Sequence, residues 1–320
     1  MTQQWTADAV PDLTGKIAIV TGANSGLGYE TALVLAAKGA HVIVASRDAK
    51  KGQEAISQLQ ANKPRGTLTF MALDLANLAS VKQFAAQFQQ QFTALDRLIN
   101  NAGVMHLPYR ETADGFEMQF GTNHLGHFAL TGLLLPTIMK TPKARVVTVS
   151  SGLHRSGHIN FADLHGKTKY NEYAAYSQSK LANLLFAFEL QRKLSAHQID
   201  AISVAAHPGF SATNLQFGNS RMTGSVVRGA MMSVANTLLA QSAAMGALPT
   251  LYAATSPEMQ GGQYIGPNGM MEMRGYPVVV SSNEESQDVT VAQKLWSVSE
   301  QLTGISYDFA ATKSPVMQAR

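Results

Sequence analysis

Short runs of β-branched and aliphatic residues alternate along the chain with longer stretches in which apolar positions recur every three or four residues. The first kind predicts strands at 16–20, 41–45, 67–71, 97–99, 145–149 and 200–205, with a weaker seventh run at 263–265. These runs are apolar almost throughout, as expected of strands covered on both faces. The second kind predicts helices over 29–37, 49–60 and 77–92, two longer ones over about 117–140 and 174–195, and a last near 287–302. Asp48 and Asn77 stand where N-caps belong. The alternation predicts an α/β fold: one doubly wound, mostly parallel sheet of seven strands with helices on both faces. Ligands then bind at the carboxyl ends of the strands.

Composition narrows the class. The chain has 320 residues, 45% hydrophobic and 14% charged, enough apolar material for a large core and too little charge for a disordered chain. A linker rich in Pro, Ser or charge is absent, as is a repeat, so one domain is expected. The net charge of +4 is scattered, and the longest basic pairs are Lys50-Lys51 and Arg192-Lys193. That excludes a nucleic-acid or membrane-surface patch. With no cysteine there is no disulfide framework, thiolate nucleophile or cysteine-ligated metal. The N-terminal segment carries Asp8, Pro11 and Asp12 rather than a basic start and an apolar run. Neither a signal peptide nor a membrane anchor is expected, and the cytoplasm is the expected location.

The first strand runs straight into Thr21-Gly22-Ala23-Asn24-Ser25-Gly26-Leu27-Gly28, where a helix begins. Glycines allow the backbone to turn tightly and approach a pyrophosphate, and the helix N-terminus offers free N–H groups and a positive dipole. A dinucleotide site is therefore expected. About 20 residues beyond such a loop, NAD sites carry an acid for the ribose 2′-hydroxyl, whereas NADP sites offer a cation. Here Ser46-Arg47 ends the second strand, Arg47 standing 19 residues after Gly28 (47 − 28). A guanidinium and a hydroxyl bind a 2′-phosphate, so NADP(H) is expected.

Further motifs follow in order: Asn100-Asn101-Ala102-Gly103, Asn123-His124-Leu125-Gly126, Ser150-Ser151, Tyr176-Ser177-Gln178-Ser179-Lys180, and Pro208-Gly209 with Thr213 beyond. With these the chain resembles the short-chain dehydrogenase/reductase family, from about Leu13 to Gly304. Leu181-Ala182-Asn183, Glu189-Leu190 and Leu295-Trp296-Ser297-Val298-Ser299 resemble its retinol-dehydrogenase-like branch. The resemblance implies a single Rossmann domain over 13–304, after an N-terminal extension (1–12) and before a tail (305–320). It implies Tyr176 as general acid/base, Lys180 holding the nicotinamide ribose, Ser151 donating to the substrate oxygen, and Asn123 anchoring a water that links to Lys180. It further assigns Asp74 to the adenine and, with Leu75, to cofactor binding. Asn101, Ala102 and Gly103 line the adenosine, and Pro208, Gly209 and Thr213 contact the cofactor.

The spacing has chemical sense. Tyr176 and Lys180 are four apart, on one helical face. A phenol titrates near 10, too high for proton exchange at neutral pH, and a nearby ammonium favours the phenolate. Ser151 lies 25 residues before Tyr176 (176 − 151), where the family often has about a dozen. The added segment, 154–171, resembles an insertion of the same branch. It bears on whether the chain forms a homodimer or homotetramer through its two long helices. His124, His127, His154, His158 and His165 raise a metal site, but no clustered acids complete one, and structural or solvated roles are expected.

Residues 214–247, rich in methionine and glycine, are expected to form a lid. Leu153, Phe210, Leu215, Phe217 and Met222 are the candidate substrate contacts, suiting a lipophilic aldehyde, ketone or alcohol. Two alternatives stand beside the reductase reading. One is a non-catalytic NADP(H)-sensing protein on the same fold. The other is a protochlorophyllide-reductase-like enzyme, whose chemistry is associated with cysteine that this chain lacks.

Overall fold

The computed structural model describes residues 4–211 and 241–310. Its centre is one sheet of eight strands: β1 (Ile17–Thr21), β2 (His41–Ser46), β3 (Thr67–Ala72), β4 (Arg97–Asn100), β5 (Ala144–Val149), β6 (Ala201–Ala206), β7 (Tyr264–Pro267) and β8 (Pro277–Val279). Their spatial order is β3-β2-β1-β4-β5-β6-β7-β8. Seven strands are mutually parallel, and β8 runs antiparallel to β7. The direction of winding reverses between β1 and β4, which opens a crevice at their carboxyl ends. The sequence predicts seven strands; the eighth, β8, has three residues, too few for a periodic signal.

Helices α1 (Gly26–Ala37), α2 (Ala49–Ala61) and α3 (Leu78–Gln91) supply the crossovers of the first half. Asp48 accepts from Lys51 N, and Asn77 accepts from Ala79 N and Ser80 N, so both expected caps are made. One apolar layer packs Phe84, Phe88, Phe128 and Phe186 on one face of the sheet. The other packs Leu35, Leu59, Leu248 and Leu251 on the opposite face.

The helix expected over 117–140 is interrupted. A short α4 (Met118–Phe120), started by the Glu117 carboxylate accepting from Gln119 N and Phe120 N, passes into a π-helical turn, Gly121–Leu125, and then α5 (Gly126–Lys140). A π-turn holds an extra residue per turn, and such bulges gather at functional sites. This one contains Asn123. Helical periodicity continues across a bulge, which is why the sequence reads as one helix.

Helix α6 (Glu172–Ala196) is buried almost continuously from Tyr176 to Leu190. Its cover comes from the chain itself: α7 (Ala243–Thr255) lies on the opposite layer, while α8 (Glu284–Gln287) and α9 (Val289–Thr303) close over α5 and α6. Trp296 stacks on Phe186 at 5.8 Å and meets Phe128 edge-on at 5.1 Å. The segment expected to be a tail is core in its described part. Ile305 and Phe309 are buried, and the Tyr307 hydroxyl donates to Phe128 O at 2.6 Å. The N-terminal extension is also packed, with Val10 buried and Trp5 edge-on to Tyr252 at 5.2 Å. Of the expected lid, 214–240 lies outside the described residues. The remainder is the capped start of α7, with Ser242 accepting from Met245 N and Ala247 fully buried.

Candidate active site

The loop after β1 is shaped by backbone that only glycine adopts readily. Gly22 and Gly26 have φ of +67° and +57°. A Cβ at Gly28 would sit 2.5 Å from Gly22 O and 2.6 Å from Asn101 Nδ2. The turn is thus closed onto the end of β4, and the free N-terminus of α1 faces the crevice. Asn24, Ser25 and Leu27 complete this loop, with Ser25 exposed at the head of α1.

One threonine joins this loop to the rest of the site. Thr21 Oγ1 lies 2.9 Å from Asn101 N, 2.9 Å from Ala102 N and 2.9 Å from His127 Nε2. His127 Nδ1 lies 2.9 Å from Asn123 O, a carbonyl that can only accept. Nδ1 therefore carries the hydrogen and Nε2 accepts from the Thr21 hydroxyl, leaving that oxygen free to accept from both backbone amides. Asn101 Nδ2 donates to Thr21 O at 2.7 Å. His127 is fully enclosed, and burial pushes its pKa down to about 4, so the ring stays neutral.

Asn123 is spent on backbone and on α6. Its Oδ1 accepts from Val104 N at 2.8 Å, and its Nδ2 donates to Val104 O and to Ser179 Oγ, both at 2.9 Å. It braces the segment just past Gly103, whose Cβ position would lie 3.1 Å from Asn123 Oδ1 and 3.6 Å from Lys180 Nζ.

The paired serines part company at the end of β5. Ser150 is buried and donates to Lys180 O at 2.7 Å, a structural bond to α6. Ser151 is half-buried, caps the 3-10 turn Gly152–Ser156 by accepting from Leu153 N at 3.2 Å, and lines the same cavity as the Tyr176 phenol. Tyr176 and Lys180 are both buried, with Lys180 Nζ 5.7 Å from the phenol ring centroid and donating to Val149 O at 3.2 Å.

Burial pushes the Tyr176 pKa up to about 12, against the lowering influence of the nearby Ser151 hydroxyl. Burial lowers that of Lys180 to about 8. The sequence predicts a phenol shifted down by its lysine; in this protein burial is the largest influence on Tyr176 and shifts the phenol up instead.

Ser151, Tyr176 and Lys180 open onto a single cavity of about 570 Å³, which also reaches Leu27, Asn101 and Gly103 on the loop side and Pro208 and Gly209 after β6. Leu153 and Phe210 line it as expected substrate contacts, whereas Thr213, Leu215, Phe217 and Met222 lie outside the described residues. Ser46 and Arg47 stand beyond this cavity at the carboxyl end of β2, where Ala45 O accepts from Gly22 N. Asp74 follows β3 and accepts from Ala76 N at 3.0 Å, and Leu75 is buried against α5.

Sequence reasoning misses part of the wall. Met105, His106, Arg155, Tyr173, His207 and Met271–Met273 also line the cavity. Apart from Tyr173, in the first turn of α6, they come from segments without periodicity, and their adjacency is purely tertiary. The five histidines do not converge. His124, His127 and His154 are buried apart from the exposed His158 and the half-buried His165. Among the described residues, no group of three or more His, Asp or Glu could hold a metal ion.

Comparison with known proteins places this architecture. The short chain dehydrogenase family model matches residues 16–223. The chain is a short-chain dehydrogenase. It is 41% identical to retinol dehydrogenase 14 of Mus musculus over 303 residues, covering 91% of this chain and 86% of that protein. It is 42% identical to polyprenol dehydrogenase of Mus musculus over 301 residues, covering 92% and 86%. Among solved structures, a protein from Mycobacterium paratuberculosis superposes with a TM-score of 0.79 at 42% identity, covering 96% of this chain and all of that one. The short-chain dehydrogenase is therefore an oxidoreductase of the retinol-dehydrogenase-like branch, a family that uses a nicotinamide cofactor. Among its described residues, no helix is long and apolar enough to cross a membrane.

Its residues fit a dinucleotide. The glycine cradle leaves room for a close approach at Gly22–Gly28, and the α1 N-terminus is open. Ser46 Oγ, buried and without a hydrogen-bond partner, lies beside the exposed Arg47.

Proposed function

We propose that this short-chain dehydrogenase is NADP(H)-dependent and interconverts a lipophilic aldehyde or ketone with its alcohol. The observation that carries the reading is the convergence of Ser151, Tyr176 and Lys180 on the cavity that begins at Leu27, Asn101 and Gly103. The bound nicotinamide would supply the hydride to the carbonyl carbon or take it from the alcohol carbon.

The protein provides the proton and the charge stabilisation. In reduction the C=O π bond breaks as the carbon gains a hydride. The Tyr176 O–H passes its proton to the oxygen, giving the alcohol. Ser151 donates a hydrogen bond to that oxygen while charge builds on it. Lys180 holds a positive charge under the phenol, which stabilises the phenolate left behind, and its ammonium also serves the nicotinamide ribose. Asn123 is the positioning residue for this group, since it ties Val104 to Ser179.

Arg47 and Ser46 favour NADP(H): a guanidinium beside an unsatisfied buried hydroxyl suits a 2′-phosphate, and no carboxylate occupies that position. Asp74 and Leu75 would border the adenine, and Asn101, Ala102, Pro208 and Gly209 the remaining cofactor. Apolar lining residues such as Leu27, Met105, Leu153, Phe210 and Met273 suit an extended apolar substrate. The relatives named for retinol and polyprenol dehydrogenation support that class. The test is consumption of NADPH and NADH against aldehydes of increasing chain length. Faster turnover of long aldehydes with NADPH supports the reading; NADH preference or a preference for small polar carbonyls overturns it.

A further inference from the structure

The hairpin between β7 and β8 lies across the cavity wall in an unfavourable backbone conformation. Met271 and Glu272 are consecutive non-glycine residues with φ of +54° and +55°. Left-handed backbone at such residues is unfavourable and persists where surrounding contacts over-determine it. Met271 is 83% exposed. Burial of Met271 therefore does not hold the turn: backbone bonds close it, Glu272 N to Gly269 O at 2.9 Å and Met273 N to Met270 O at 3.2 Å, and a side-chain anchor ties it to the rest of the wall.

That anchor is Glu272. Its Oε1 accepts from Arg155 Nη2 at 3.0 Å, and its Oε2 lies 3.0 Å from His207 Nε2. His207 Nδ1 accepts from Gly209 N at 3.3 Å, so Nε2 is the nitrogen that donates to the carboxylate. The two partners belong to the two sides of the site. Arg155 sits in the 3-10 turn capped by Ser151 and also donates to Ser281 O at 2.8 Å, past the far end of the hairpin. His207 follows β6 and is 1% exposed. The hairpin is also bonded to that side, with Phe210 N donating to Met273 O at 2.7 Å. Those hydrogen bonds hold Glu272 as a carboxylate below its ordinary range, the His207 bond first.

We propose that Glu272 is a specificity-determining positioning residue, which latches the 268–275 hairpin to Arg155 and His207 and thereby sets the apolar wall that receives the substrate chain. The inference rests on the reading of the cavity as a site for lipophilic carbonyl compounds. Without the latch, the left-handed turn relaxes and Met271 leaves the wall, while the Phe210 N bond still holds the backbone at Met273. The Gly209 N–H bond to His207 and the Ile265 O bond of His207 N do not involve Glu272, so the cofactor side keeps its shape.

The test compares wild type with Glu272→Ala, Glu272→Gln, Arg155→Ala and the Arg155→Ala/Glu272→Ala double variant. With NADPH as cofactor, the expected result for Glu272→Ala is a tenfold or greater fall in the kcat/KM ratio of dodecanal over propanal. That fall is carried by KM rather than kcat, with NADPH affinity within twofold. Glu272→Gln, which retains the acceptor for His207, recovers part of the ratio. The double variant is no worse than Glu272→Ala, because one latch is lost once. Amide exchange at 269–276 accelerates in Glu272→Ala, and dodecanol binding to the NADP-loaded protein weakens by calorimetry. These two readouts need no turnover, so they decide the latch even if the protein reduces neither aldehyde. An unchanged chain-length ratio, additive losses in the double variant, or equal losses of NADPH and alcohol affinity overturn it.

Discussion

Lys180 Nζ lies 5.7 Å from the centroid of the Tyr176 ring, and both side chains are buried, reaching the surface only through the cavity they line. The amine is therefore the titrating group of the pair near neutral pH, drawn down by burial to about 8, while the phenol is pushed up to about 12. With the ammonium gone, the phenolate formed by proton donation loses its nearby positive charge. The kcat/KM for carbonyl reduction is expected to fall above pH about 8, and Lys180→Arg, which stays charged, moves that limb upward at a lower rate. A profile flat through pH 10 would contradict the assignment.

On the proposed NADP(H) reading, Arg47 is expected to carry the cofactor preference. A hydrogen bond to a charged group contributes about 1.5–3 kcal/mol, so Arg47→Ala is expected to raise the NADPH Kd roughly tenfold or more. The NADH Kd should change little. Fluorescence titration with both cofactors measures this, and equal losses for the two would remove Arg47 from the phosphate site.

Three buried histidines with lowered pKa are expected to weaken the fold in acid. Burial lowers His124 to about 3 and His127 and His154 to about 4, against about 6.5 unfolded. Between pH 6.5 and 4 the unfolded chain thus binds more protons, and stability falls as pH falls through that window. Tm should drop steeply there, and His154→Gln should flatten the slope relative to wild type. A pH-independent Tm in that window would mean the rings are not held neutral.

The long helices α5 and α6, a candidate surface for a homodimer or homotetramer on the sequence, are covered by α9 and by Ile305–Phe309. Trp296 sits at the centre of that cover, 4.5 Å from Tyr307 and 5.1 Å from Phe128. Sedimentation is expected to give a monomer of 34.3 kDa. Trp296→Ala should destabilise the fold by about 3–5 kcal/mol in urea. A stable dimer that protects α5 and α6 amides from exchange would contradict this.

How much of this was legible in the chain follows from where each signal resides. Strand and helix positions, the Asp48 and Asn77 caps and the glycine loop are local, because periodicity and φ requirements act over a few residues. The Tyr176–Lys180 pairing needs only helical spacing. The π-turn at Gly121–Leu125 was not legible, since an extra residue in a helix leaves the apolar pattern nearly intact. Nor was the raised phenol pKa, which depends on burial by distant segments. The Arg155–Glu272 contact joins residues 117 apart in sequence, and nothing local to either announces the other. The 305–310 segment is short, and its aromatic residues become core only because α9 returns them to Phe128.

The most direct test of the central claim is Tyr176→Phe, measured for NADPH-dependent aldehyde reduction and, separately, for NADPH affinity. Proton donation by a placed side chain contributes typically about 10²–10⁴-fold. The account predicts a fall in kcat within that range with the NADPH Kd unchanged within threefold. Near-native turnover by the Phe variant would show that the proton comes from elsewhere and contradict the account.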